Sequence, residues 1–293
     1  MGIKVAIFGC AGQLGTELER EFGGRGFAVA GWDRTEVDIT SREAVEEAIG
    51  RFGAHVVVNA AAYNQVDVAE NEPLAAFHVN ALAVRNLALA SRQADALLVH
   101  FSTDYVFDGM KGEPYTEEDP PHPLGAYAVS KYAGELYAQA YLDAPLIVRT
   151  SGVFGPGGLR TARGNFIELM LRLAHLGQPI RVVEDMVASP TYAPALAERT
   201  VDLVEHGVRG VIHIGGGVAI SWYDYAKLIF RAAGLSPEVK PIHEREYRTP
   251  ARRPKYSALS NAKMESLGLR PMPPLEEAVR DYLILREQML AHK

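Results

Sequence analysis

The run Ile3-Lys4-Val5-Ala6-Ile7-Phe8, followed at once by Gly9-Cys10-Ala11-Gly12-Gln13-Leu14-Gly15, restricts the fold more than any other stretch of this chain. An apolar, β-branched run reads as a strand buried on both faces, and Thr16 to Phe22 reads as a helix opening straight out of the turn. Strand, glycine turn and helix in that order start a parallel βαβ unit. The spacing is G-x-x-G-x-x-G instead of the G-x-G-x-x-G dinucleotide pattern, but the physics is shared. Glycines let the backbone approach a pyrophosphate, and free amides at the helix start meet its charge. Gly9, Gly12, Gln13, Leu14 and Gly15 are therefore the first cofactor candidates, with a purely structural turn as the competing reading.

Phe27 to Trp32 reads as the second strand, and Asp33-Arg34 follows about twenty residues past the turn, where an acidic residue holds an adenosine ribose in such folds. Asp33 would accept from a 2′-hydroxyl; Arg34 would instead pair with a 2′-phosphate, so NADPH and NADH are both open. Asp38 and Ile39 are candidates on the adenine side, next to Ser41, a helix N-cap for about 41–51. A third strand from His55 runs into Ala60, Ala61, Ala62 and Tyr63, small residues leaving room for a ligand at a strand end. A helix over 73–90 carries Asn80, either a satisfied core amide or a group orienting backbone near the cofactor. Leu97 to Phe101 is the fourth strand, with His100 a packed strand residue, and Ser102-Thr103-Asp104-Tyr105-Val106-Phe107 emerges from its end. Residues 109–124 read as a long loop over the site.

Tyr127 and Lys131 stand four apart in an Ala- and Glu-rich helical stretch and so share one face. An ammonium beside a phenol favours the phenolate, which brings proton exchange closer to neutral pH and makes Tyr127 a candidate general acid. Tyr and Lys at this spacing also occur by chance on amphipathic helices. Here the glycine turn and the hydroxyl-bearing strand end add to the pattern.

Strand and helix patterns alternate to Thr150, which implies an α/β fold with a doubly wound parallel (Rossmann) sheet. The expected division is a dinucleotide-binding domain over 1–151, with return segments near 193–214, and a smaller α/β substrate-binding lobe over 152–293. In that lobe the reading places helices over 165–176 and 194–206, a strand at 180–183, and an exposed basic turn over Thr249 to Pro254. With 293 residues, 48% hydrophobic and 23% charged, the composition excludes disordered and fibrous classes. A net charge of −6 argues against a nucleic-acid surface. The first apolar run is too short for a membrane span or secretory core, and the single cysteine, Cys10, suits a reducing compartment; a cytoplasmic protein without membrane attachment is expected. No zinc-type Cys/His spacing is present, and no metal is assigned.

Taken together, the glycine turn, Asn59-Ala60-Ala61-Ala62-Tyr63 with Val66-Asp67, Ser102 to Phe107, Tyr127 with Lys131, Arg149-Thr150-Ser151, Gly164-Asn165-Phe166, Pro190-Thr191 and Arg253-Pro254 resemble the extended short-chain dehydrogenase/reductase family, and within it the dTDP-4-dehydrorhamnose reductase branch. The resemblance implies a catalytic set of Thr103, Tyr127 and Lys131, with the lysine also on the nicotinamide ribose. It implies substrate contacts from Thr103, Asp104, Tyr105, Ser151 and Asn165, and Arg253 near the nucleotide diphosphate. The implied reaction is NAD(P)H-dependent reduction of the C4 keto group of dTDP-4-dehydro-L-rhamnose to dTDP-L-rhamnose; the oligomeric state is left open by the sequence, a homodimer among the options. The alternatives are another nucleotide-sugar 4-keto reductase or epimerase, or a non-catalytic regulator like the β subunit of methionine adenosyltransferase. Two departures stand out: Gly152 occupies the place where the branch carries Trp, and Ala128 follows the tyrosine where it carries Gly.

Overall fold

In the computed structural model, which describes residues 2–160 and 164–291, the opening motif is β1 (Lys4–Phe8), the glycine turn and α1 (Gly15–Gly24). Then come β2 (Ala28–Trp32), α2 (Arg42–Phe52) and β3 (Val56–Asn59). The Ser41 hydroxyl accepts from the Ala44 amide to start α2, and Gly53, at φ 68°, ends it. Next are α3 (Val66–Ala69), α4 (Pro73–Phe77), a π-turn over His78–Leu82, α5 (Ala83–Gln93), β4 (Leu97–Thr103), α6 (Ala126–Tyr141) and β5 (Leu146–Thr150). The rest comprises α7 (Phe166–His175), β6 (Ile180–Val183), β7 (Val187–Ala188), α8 (Ala193–Glu205), β8 (Gly210–His213), β9 (Ile220–Ser221), α9 (Trp222–Ala232), β10 (Val239–Ile242), α10 (Ala262–Ser266) and α11 (Leu275–Ala291).

The six-stranded main sheet is parallel throughout, in the order β2-β1-β3-β4-β5-β8, so the expected doubly wound sheet is present. The return of 210–214 is β8, which pairs with β5. Strand order reverses between β1 and β3, which opens a crevice at their carboxyl ends. Along the strands, alternate residues face opposite layers. Val5, Ile7, Val56 and Val58 pack with Leu18 and Phe22 of α1 and Leu196 of α8; Ala6, Phe8 and Val57 pack with Val45 and Ile49 of α2 and Leu87 of α5. Each fully buried side chain of this size contributes about 1.5–3 kcal/mol.

The first of these cores continues into Phe154, Tyr225 and Tyr282, so the smaller lobe, with its pairs β6/β10 and β7/β9, shares apolar packing with the sheet. Pro73–Gln93 is long and apolar enough to cross a membrane by length and composition, yet 61% of its most apolar window is buried inside the protein. It is also not the uniform helix expected over 73–90, because the π-turn interrupts it and α5 runs on to Gln93. The 109–124 loop is pinned: Tyr115 stacks on Phe107 at 4.1 Å and bridges to Leu259, and Glu117 accepts from the His213 amide.

Candidate active site

The glycine turn lies flush against the end of β3. Gly9 has φ +84°, and a Cβ there would come within 2.6 Å of the Ala61 nitrogen; one on Gly15 would come within 2.1 Å of the Gly9 carbonyl oxygen. The amides of Gln13 and Leu14, leading into α1, have no carbonyl partner among the described residues. Backbone exposed at the switch point, with free amides at a helix start, fits a dinucleotide diphosphate. Gly9→Ala is expected to cost at least about 1–2 kcal/mol, since it forces a left-handed alanine and displaces the Ala61 backbone. Dinucleotide affinity should fall with it; a titration showing unchanged affinity would dismiss the cradle.

The wall opposite the turn is held by Asn80, which sits in the π-turn. Its Oδ1 accepts from the Tyr63 amide at 2.8 Å, and its Nδ2 donates to the Tyr63 carbonyl and the Ser130 hydroxyl, each at 3.0 Å. Ser130 lies between Tyr127 and Lys131, so this one amide ties the 60–63 segment to α6. Asn80 is thus a satisfied core amide that also orients the Tyr63 backbone. Asn59, whose Nδ2 bonds His100 Nδ1 at 3.1 Å, also receives the Ala61 amide on Oδ1. His100 is a packed strand residue, its imidazole driven toward the neutral form by burial and by the Lys131 charge.

Other cofactor candidates divide by where their side chains point. Asp33 Oδ1 accepts from the Thr35 amide and hydroxyl at 2.7 and 2.6 Å, and those bonds hold its carboxyl below the usual range; Arg34 beside it is exposed. Asp38 makes the same kind of turn with Thr40. Three of the candidates turn their side chains into the protein. The Gln13 side chain is directed across to the smaller lobe, with Nε2 on the Val153 carbonyl at 2.7 Å and Oε1 receiving the Gly155 amide and Asn165 Nδ2. The Leu14 side chain packs on the core, and that of Ile39 is buried beside Phe8 and Val45 because an apolar chain gains more there than at a polar rim; the backbone of each of the three is what faces outward to a cofactor in the cofactor reading.

The reacting groups converge at the carboxyl end of β4. The first turn of α6 is anchored by Glu70, whose Oε1 accepts from the Ala126 amide at 2.7 Å, a carboxylate at a helix N-terminus. Tyr127 then packs among Ala69, Ala76 and Tyr105, with the two phenol rings edge to face at 6.1 Å. One turn on, the buried Lys131 Nζ donates to the Phe101 carbonyl at 2.6 Å. Burial pulls its ammonium down to about 8, with Glu135 opposing. Thr103 ends β4 two residues beyond Phe101, in register with Thr150 of β5. No sequence signal marked Glu70, which lies 56 residues from its partner.

The residues expected against the sugar are arranged differently. Asp104 and Ser151 face inward: Asp104 Oδ2 accepts from Ser151 at 2.8 Å and from Ser257 at 2.5 Å, and Oδ1 from Thr103 at 3.1 Å. A carboxylate this deeply buried needs donors, and these hydroxyls supply them. Asp104 thus joins β4, β5 and the C-terminal segment. Burial nevertheless pushes its carboxyl up to about 6, with the three hydroxyl bonds opposing. The folded value lies above that of an unfolded aspartate, so the associated stability is complete below about pH 4 and is lost as pH rises through 6. That loss is on the order of 3 kcal/mol. Asp104→Asn should flatten urea stability between pH 4 and 7; a profile matching wild type would refute the assignment.

Asn165 caps α7 through the Glu168 amide and bonds Gln13 and the Tyr282 hydroxyl, so it joins the lobes. Arg253 is not part of an exposed turn. Its guanidinium grips Asp67 in a two-bonded pair at 2.9 and 2.8 Å and also donates to the Thr249 hydroxyl. The Tyr105 phenol is pushed up to about 12, chiefly by burial and next by Asp104, with Arg253 opposing. Asp67, Tyr105 and Arg253 therefore form one rim between α3 and the C-terminal segment.

A parallel sheet with a glycine turn at its switch point, and a Tyr-x-x-x-Lys helix beside a strand-end threonine, define the class of extended short-chain dehydrogenase/reductase folds. The chain belongs to the RmlD substrate binding domain family, whose sequence model matches residues 3–287. It is 38% identical over 280 residues to the spore coat polysaccharide biosynthesis protein SpsK of Bacillus subtilis, covering 96% of each chain. It is 37% identical to a dTDP-4-dehydrorhamnose reductase of Mycolicibacterium smegmatis, covering 96% of this chain and 85% of the relative. Among solved structures, a dTDP-4-dehydrorhamnose reductase of Bacillus anthracis in complex with NADP superposes with TM-score 0.91 at 35% identity, covering 97% of this chain and 99% of that one.

Proposed function

We propose that this protein is an NAD(P)H-dependent oxidoreductase of the cytoplasm that reduces the C4 keto group of dTDP-4-dehydro-L-rhamnose to give dTDP-L-rhamnose. The observation that carries this reading is the convergence of Tyr127, Lys131 and Thr103 on the end of β4, with β3 lying between it and the strand that leads into the glycine cradle. The bound nicotinamide cofactor supplies the hydride that adds to C4. Thr103, which the Tyr105 amide holds at 3.2 Å through its hydroxyl oxygen, turns its proton from Asp104 to the sugar's C4 oxygen. Tyr127 gives its phenolic proton to that oxygen as it becomes an alkoxide, so the ketone gains one hydride and one proton. Lys131 keeps a positive charge beneath the phenol, which favours the ionised tyrosine until solvent reprotonates it. Asp33 and Arg34 take the adenosine ribose end, and the Asp67–Arg253 rim borders the nucleotide diphosphate.

Incubating purified protein with a panel of 4-keto sugar nucleotides while following the absorbance of the reduced cofactor tests the reading. Oxidation of the cofactor with dTDP-4-dehydro-L-rhamnose, and a C4 alcohol by NMR, is the expected result. Product epimerised without net cofactor oxidation, or no turnover across the panel, would overturn it. Arg34→Ala should lower the preference for NADPH over NADH roughly tenfold, as expected for one lost ion pair to a 2′-phosphate. An unchanged ratio of kcat/KM would remove Arg34 from that end of the site.

A further inference from the structure

Trp222 opens α9 and is one of only two tryptophans in the chain. Its half-buried indole packs on Val183, Met186 and Ile242, with Phe166 4.7 Å away between ring centres. The outer corner of the indole, Cη2, lies 3.5 Å from the point a Cβ on residue 152 would occupy. Residue 152 is a glycine, exposed and at φ +51°, two positions past Thr150, the register partner of Thr103. The intervening Ser151 is held by Asp104, the neighbour of Thr103. The indole corner therefore stands beside the segment that leaves the sheet next to the strand-end hydroxyl. A larger residue at 152 would meet both an unfavourable backbone and the indole itself.

We propose that Trp222, reaching from α9 over Gly152, is the apolar wall of the sugar subsite in this chain. The inference rests on the reductase reading above and adds to it the residue that selects the sugar. A 6-deoxy pyranose offers a face of C–H groups and a methyl group, and a broad aromatic surface covers these without demanding hydrogen bonds. Here the glycine leaves the space to a side chain 70 positions further along the chain.

The Trp32→Phe protein, in which Trp222 is the sole tryptophan, provides the test. It is saturated with oxidised cofactor and titrated with dTDP-L-rhamnose or with dTDP alone while indole emission is followed. The sugar nucleotide should change the emission and dTDP should not. In parallel, Trp222→Ala should raise KM for the 4-keto sugar nucleotide about tenfold, the scale set by one apolar contact, with kcat and the cofactor KM held within about twofold. Trp222→Phe should fall between Ala and wild type, and it keeps the aromatic cluster filled should the alanine variant not fold. Emission unmoved by sugar nucleotide in a protein that still turns over would overturn this inference and leave the reductase reading standing. Failure of wild type to reduce any 4-keto sugar nucleotide would remove both.

Discussion

Tyr127→Phe is expected to lower turnover about 10²–10⁴-fold, the usual contribution of a positioned proton donor. The substitution removes one oxygen and leaves the ring, which packs on Ala69, Ala76 and Tyr105, so the site should keep its shape. Cofactor affinity should stay within about twofold, because the glycine cradle and the 60–63 wall are untouched, whereas kcat should fall together with kcat/KM. Measuring cofactor affinity by calorimetry and turnover by absorbance separates the two. A Tyr127→Phe variant oxidising cofactor at the wild-type rate would make Tyr127 a packing residue and return the site to a binding role, as in a non-catalytic regulator.

Arg149→Ala should cost about 3–5 kcal/mol of folding stability, the largest structural loss expected from a single change in this chain. Arg149 and Glu135 are both almost fully buried, and they meet through Nε–Oε1 at 3.0 Å and Nη2–Oε2 at 2.7 Å. The guanidinium also sits over the Phe107 ring at 5.3 Å. Beside it, His213 is held neutral, pulled down to about 3 by burial and by the Arg149 charge. Losing the arginine strands the Glu135 carboxylate one helical turn from Lys131, in a place water does not reach. If that stranded charge is the cause, the double variant Arg149→Met with Glu135→Leu should recover most of the loss. Equal denaturant midpoints for the single and double variants would instead place the cost in lost packing.

The two variants probe different layers of one helix. Tyr127 and Lys131 line its reactive face, and Glu135, one turn further, braces that face against β5. The brace was invisible in the linear pattern because Arg149 lies 14 residues away on a separate strand. Gln13 and Asn165 show the same limit. Each sat inside a recognisable motif, so a ligand role followed from position, yet their side chains bond each other across 152 residues and knit the glycine turn to α7. Asp104 and Ser257 meet across 153 residues, and Arg253 reaches Asp67 across 186.

Features governed by nearest neighbours were legible from the letters alone. Burial on both faces makes a strand of β1, backbone freedom makes a turn of Gly9 to Gly15, and 3.6-residue periodicity puts Tyr127 and Lys131 on one side of α6. Alternation of such units imposes a parallel sheet, and with it the place of the crevice. Which polar side chains face that crevice and which satisfy one another inside was decided only by tertiary packing. A buried carboxylate or amide must find donors wherever the fold brings them, and the folded chain draws Ser151 and Ser257 from two distant segments to join Thr103, the preceding residue, on Asp104.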